Sequence, residues 1–278
     1  MLRVTVGFPA AMATGVLSVA AAELDQTWVS WSFFGAGVCV YLLAARSFAR
    51  PLDVEALAAV AATAVLATRL GLAGLRVAAG VLLVGAALGW AAAWVVLLRA
   101  RRLGPPTGSL LLTVVSTEAV AILGAVASRR LEPFALALFL IGLALYPVAL
   151  ARIPPGELRT GAGDMWIAMG ALAVSTLAAA HVATVGGGAA ARALASVLWI
   201  AATCWLPVLV FAELRWRRLR FEPKRWSTVF PLGMYSACST AVAGEGGLAP
   251  GLVGRAFFWL AVAAWLAAAV GALHRPSA

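Results

Sequence analysis

Few side chains in this sequence have the type and spacing to do chemistry, and most of these lie within apolar stretches. The densest set is WSTVFPLGMYSACSTAVAGEG, residues 226–246. Phe230 stands just before Pro231 and Gly233, which interrupt a helix, and Ser236, Ser239 and Thr240 add hydroxyls to its second half. A helix facing only lipid has no use for these features. Irregular backbone at membrane depth is tolerated inside protein or beside water. The expectation is a helix that lines a path through the bilayer, with Phe230 standing in that path. Pro9, Thr14 and Gly15 in FPAAMATGV join the same pore-lining, helix-breaking set.

Glu118, in LLLTVVSTEAVAIL, is the one acid well inside an apolar run. An ionisable group there is costly if left bare, so it marks a function or an internal partner. It could take up a proton during symport, or accept hydrogen bonds from hydroxyls on neighbouring helices. The structural role is the simpler, because a fixed anion would repel anions in transit. Arg69, Arg129 and Arg130, with His181, fall near one mouth of any pore, where they could steer anions or merely snorkel to the interface.

Enzyme signals are scarce. The two histidines, His181 and His274, are far apart in sequence, and the protease, hydrolase and phosphate-loop motifs HExxH, GxSxG and Walker A are missing. The glycines at 186–188 and 244–247 read as loop tips. Cys39, Cys204 and Cys238 lie inside apolar segments without CxxC spacing and read as core residues. No cofactor, no metal and no enzymatic activity is expected.

The elements that must hold these residues are membrane helices. Of 278 residues, 63% are hydrophobic and 12% charged, and the mean hydropathy is +0.98. Soluble domains are about half apolar and a quarter charged, so the composition excludes one. The net charge of +10 sits in short clusters between apolar runs, which suits anionic headgroups and topology signals and speaks against nucleic acid. With about 20 residues per crossing, ten spans are expected: 5–22, 28–46, 54–71, 77–99, 108–127, 133–151, 164–183, 193–213, 226–244 and 253–273. The first is read as a span and not as a cleaved signal peptide. With the N-terminus inside, fifteen of the 21 Lys and Arg residues fall in inner loops, so both termini are expected to be cytoplasmic. The run RWRRLRFEPKRW, 215–226, weighs most.

The spans alternate in kind. Nine of the eleven tryptophans lie in or beside even-numbered spans; Trp166 and Trp226 are the others. Odd spans carry small and hydroxyl residues instead: ATGVLS, AATAVLAT, VVSTEAV, MGALAVST and YSACST. Small residues let helices approach closely, while bulky aromatics suit lipid and the headgroup boundary. The expected architecture is an all-α polytopic membrane protein forming one domain over 1–278. Its ten transmembrane helices form five hairpins, with an inner ring of odd helices around a pore.

Four segments carry a resemblance: FPAAMATGVLSVAA, DMWIAMGALAVSTLAAA, LWIAATCWLPVLVFAELRWR and WSTVFPLGMYSACSTAVA. In register along the chain, they resemble the tellurite-resistance/C4-dicarboxylate transporter family, whose relatives include fungal malate permeases and plant slow-type anion channels. The resemblance implies five hairpins about a central pore and three such subunits per assembly in the plasma (inner) membrane. It also implies passage of anions such as malate, succinate or small inorganic anions, with a ninth-span phenylalanine, here Phe230, closing the pore. Two alternatives stay open: a proton-coupled dicarboxylate symporter using Glu118, and a membrane scaffold that transports nothing.

Overall fold

A computed structural model of the chain describes residues 7–46, 56–99, 106–160, 163–182, 188–216 and 222–274. These are helical throughout. In chain order the α-helices are α1 (Phe8–Glu23), α2 (Thr27–Arg46), α3 (Ala56–Leu72), α4 (Arg76–Arg99), α5 (Leu112–Ala127), α6 (Glu132–Leu150), a single turn α7 (Glu157–Thr160), α8 (Trp166–Val182), α9 (Gly188–Arg215), α10 (Trp226–Gly244) and α11 (Gly251–Leu273). Short 3₁₀ turns lead into α5, α6 and α10. Six of the helical segments are long and apolar enough to cross a membrane: 27–46, 76–99, 108–127, 129–150, 188–215 and 251–273. Helices α1, α3 and α8 are apolar but shorter. The chain is a multi-pass membrane protein.

Burial divides the helices into two sets. In 108–127 the most apolar stretch is 94% buried, against 17% in 27–46 and 251–273. Helices α1, α3, α8 and α10 are buried along most of their length as well. Their neighbours α2, α4, α6, α9 and α11 expose leucine, valine and tryptophan outward, Trp28 to 88%. Such a surface is untenable in water and ordinary in lipid. Consecutive helices pack in pairs, α1 with α2, α3 with α4, α5 with α6, α8 with α9 and α10 with α11. The buried helices also touch in sequence, α1 to α3, α3 to α5, α5 to α8, α8 to α10, and α10 back to α1. That cycle of contacts closes.

Glycine lets the backbones approach. A methyl group on Gly233 of α10 would stand 2.7 Å from Val16 Cγ1 of α1, and one on Gly15 would stand 3.2 Å from Leu66 Cδ2 of α3. The small-residue composition of the buried helices therefore has a packing cause. It also explains why α3, poor in bulky residues, is still a helix: its contacts are with other helices, and little of it needs to face lipid.

One expectation is corrected. Pro9, Pro231 and Gly233 do not break helices: Pro9 opens α1, and α10 runs unbroken from Trp226 to Gly244. Proline is at home in the first turn, where its absent N–H has no partner to lose. Pro231 follows Trp226 by little more than a turn, and its ring is seated against Gly170 of α8, where an added Cβ would lie 2.9 Å from Pro231 Cγ. Glycine opposite the ring makes room for it.

Candidate functional site

The five buried helices meet around a small apolar cavity. Its lining takes Val19 from α1, Val65 and Thr68 from α3, Val115, Ala119 and Ile122 from α5, Val174 and Leu177 from α8, and Phe230 and Met234 from α10. Every buried helix contributes, and no outer helix does. On a water-sized measure the volume is about 10 Å³, room for about one water. Phe230 is fully buried there. Thr68 supplies the one hydroxyl of the lining, and that hydroxyl donates to Ala64 O at 2.8 Å. A hydrated ion cannot occupy such a space.

The helical register explains this lining. Residues 115, 119 and 122 of α5, 174 and 177 of α8, and 230 and 234 of α10 lie three or four apart and share a face. Sequence reasoning singled out Phe230 and passed over the other nine. Their spacing was visible, but a valine stripe at helical spacing reads as ordinary core until the ring is known.

The remaining residues singled out from sequence lie elsewhere. Thr14 donates to Ala10 O at 2.8 Å and accepts from Trp265 Nε1 of α11 at 2.9 Å. Ser236 donates to Gly254 O of α11 at 2.7 Å. Ser239 accepts from Trp199 Nε1 of α9 at 2.9 Å. Thr240 bonds back to Ser236 O at 3.0 Å. Gly15 and Gly233 sit at the α1–α3 and α1–α10 contacts, and Pro231 against α8. None of these is among the cavity-lining residues.

A repeated device emerges from these bonds. Trp90 of α4 donates to Thr117 of α5 at 2.8 Å, Trp199 of α9 to Ser239 of α10, and Trp265 of α11 to Thr14 of α1. Tyr41 of α2 and Thr63 of α3 share the same kind of bond at 2.8 Å. In each case an aromatic on an outer helix is tied to a hydroxyl on the buried helix of the following pair. Aromatics expected to face lipid are thus partly turned inward, because a buried indole N–H needs an acceptor. Replacing Trp199 by Phe should lower the stability of the purified protein by about 1 kcal/mol, the net value of such a bond, measured by thermal unfolding in detergent. An unchanged transition would show that the bond carries nothing.

Glu118 is fully buried, off the axis, where α5 meets α6 and α8. Ser175 Oγ of α8 lies 2.7 Å and 2.6 Å from its two carboxyl oxygens and 3.0 Å from Ala171 O. Gly142 of α6 closes the other side: a methyl there would stand 2.9 Å from Glu118 Cδ. Among the described residues no cation pairs with it. The carboxyl therefore ties α5 to α8 and packs against α6, and Gly142 is small because Glu118 occupies the space beside it.

At the end where α8 and α10 begin, charges brace the helices. Lys224 Nζ donates to Asp164 Oδ2 at 3.0 Å, while Arg225 Nη1 and Trp166 Nε1 both donate to Glu213 Oε1, at 3.0 Å and 3.2 Å. The hydrogen bond to Asp164, opposed by desolvation and aided by the carboxylate's charge, holds the Lys224 ammonium above its ordinary range. A raised lysine contributes stability below its unfolded value and loses it as pH rises through the folded one. Lys224→Met should therefore lower the unfolding temperature at neutral pH, with the difference shrinking as strongly alkaline pH is reached; an unfolding temperature equal to wild type at neutral pH would contradict the pairing. At the opposite end His181 Nε2 of α8 lies 3.6 Å from Glu23 Oε1 of α1. Arg129 and Arg130 sit in the exposed turn before α6. Arg69 does not snorkel: it is only 4% exposed.

The family model described as voltage-dependent anion channel matches residues 5–273, nearly the whole chain. The chain belongs to the voltage-dependent anion channel family. Membership identifies it with membrane proteins of anion transport, the family its four sequence segments resemble. Similar proteins include two from Mycobacterium tuberculosis, strains CDC 1551 / Oshkosh and H37Rv, each described as an uncharacterized membrane protein. Each is 34% identical over 155 residues, spanning 49% of this chain and 72% of the relative.

Proposed function

We propose that this chain transports small anions, C4-dicarboxylates such as malate and succinate or small inorganic anions, along the axis of α1, α3, α5, α8 and α10, and that Phe230 closes the path. The observation that carries the reading is the cavity itself. All five buried helices line it, a fully buried aromatic stands in it, and it holds room for about one water. Hydrophobic constrictions gate by excluding water, and a phenyl ring is the largest movable obstacle in this lining. Helices α1–α6 and α8–α11 act as five transmembrane hairpins in a single domain, both termini cytoplasmic, in the plasma membrane, three subunits to an assembly. The closed cycle of helix contacts supports the ring, the charge distribution of the loops supports the topology, and resemblance alone supports the trimer.

The test is anion flux in proteoliposomes, comparing chloride, nitrate, malate and succinate with and without a proton gradient. Passive flux of several anions supports the channel reading. No flux of any anion from well-folded protein, including Phe230→Ala, would leave a scaffold. A second reading, a proton-coupled dicarboxylate symporter, draws on one observation: a buried carboxyl whose bonding partner is a hydroxyl. Saturable, gradient-driven malate uptake whose pH dependence disappears in Glu118→Gln would favour it.

A further inference from the structure

Where α1 and α3 end, an open cleft of about 510 Å³ is lined by Glu23, Asp25, Thr27, Trp31, Arg69 and Leu72, among others. Its lining comes from α1, α2 and α3. Ala22 and Glu23 lie one turn beyond Val19 on α1, and Leu72 one turn beyond Thr68 on α3, on the faces that line the central cavity. The volume is that of a small-ligand site.

Arg69 is the unusual member. Its side chain is almost fully buried, and its Nε donates to Ser30 Oγ of α2. The Ser30 hydroxyl in turn donates to Ser18 O of α1 at 2.7 Å. Trp31 lies against the guanidinium, with Cζ 4.3 Å from the ring centroid. The cation is therefore fixed through Nε and one face, while its Nη1 and Nη2 donors have no partner among the described residues. Two carboxylates share the cleft, yet neither is paired with it: Glu23 lies toward His181, and Asp25 is exposed at the rim. A buried guanidinium with nearby acids ordinarily pairs with one. The helix ends α1 and α3 also present partial negative charge here. An anion held in this cleft needs a local cation, and Arg69 is the one buried there.

We infer that Arg69 forms an anion-binding site in this cleft, taking a carboxylate or other small oxyanion on its paired Nη1 and Nη2 donors, with Ser30 and Trp31 as positioning residues. Two parallel N–H donors match two oxygens of one anion, a geometry that lysine does not reproduce. The inference rests on the anion-transport reading and names a place where the anion is held.

The test is direct binding, so that it does not depend on flux. The unfolding temperature of purified protein is measured against increasing malate, and separately nitrate, at constant ionic strength, for wild type, Arg69→Gln and Arg69→Lys. Wild type should be stabilised saturably. Loss of charge-assisted hydrogen bonds should raise the half-saturating concentration by a factor of about ten or more in Arg69→Gln, with Arg69→Lys between the two. Half-saturation unchanged in both variants would overturn the site, even if their stability without anion is lower. Stabilisation by calcium that is lost in Asp25→Asn, with no response to malate or nitrate, would overturn it in favour of a cation site. Should Arg69→Gln not fold, Arg69→Lys and Ser30→Ala decide the matter: both must weaken anion binding severalfold. Malate binding through Arg69 in a protein that transports nothing would instead contradict the proposed function and leave this site standing.

Discussion

Phe230→Ala should raise basal anion flux in proteoliposomes by about tenfold or more. Phe230 is the bulkiest side chain in a lining that otherwise consists of valine, alanine, leucine, isoleucine, methionine and one threonine. Removing the ring joins its volume to a cavity of about 10 Å³, and widening a hydrophobic constriction weakens the dewetting that closes it. A barrier lowered by only about 1.4 kcal/mol gives a tenfold rate. The substitution has a structural cost as well, since a fully buried Phe→Ala change commonly loses about 3–5 kcal/mol. Phe230→Leu separates the two effects, keeping most of the packing while removing the ring. Intermediate flux with near-normal unfolding temperature would support steric closure. Wild-type flux in both folded variants would sink the idea that Phe230 closes anything.

The second large effect concerns Glu118 and is a contrast. Glu118→Gln keeps the shape, and its amide oxygen can still accept from Ser175. Glu118→Leu keeps only bulk, beside a hydroxyl that falls back on Ala171 O. If Glu118 joins α5 to α8, the Gln variant should unfold near the wild-type temperature and transport normally at every pH. The Leu variant should lose about 1–3 kcal/mol. If instead Glu118 carries the coupling proton, the Gln variant should keep passive exchange and lose gradient-driven uptake. Its position off the axis, outside the cavity lining, argues for the joint. Uptake that loses its pH dependence in the Gln variant would reverse that conclusion.

The helices were legible in the sequence to within a few residues. The span expected at 226–244 coincides with α10, and 108–127 with the 3₁₀ turn plus α5. Apolar length carries that information directly. The separation into buried and lipid-facing helices was legible too, because small residues and tryptophans serve opposite environments. The destination of each hydroxyl was not. Thr14, Ser236 and Ser239 are the right residue types for solvating an ion, yet each is bonded between helices, two of them accepting a tryptophan N–H. Which face of a helix meets which neighbour depends on long-range register that composition does not carry. Pro231 was misread for a related reason: proline looks like a break until Gly170, which makes room for its ring on α8, is known. Arg69 was grouped with His181, and both do lie near Glu23, but its burial was not foreseen; its fixation by Ser30 is a contact 39 residues away in sequence.

The axial path is tested most directly by blocking it from within. In a variant lacking Cys39, Cys204 and Cys238, Ala119 is replaced by cysteine, with and without Phe230→Ala, and anion flux is followed while a negatively charged methanethiosulfonate is added. Ala119 faces the cavity and no outer helix contributes to that lining, so the reagent should abolish flux in the Phe230→Ala form and react far more slowly when Phe230 is present. Flux that persists after complete labelling of the cysteine would mean that anions do not travel along this axis.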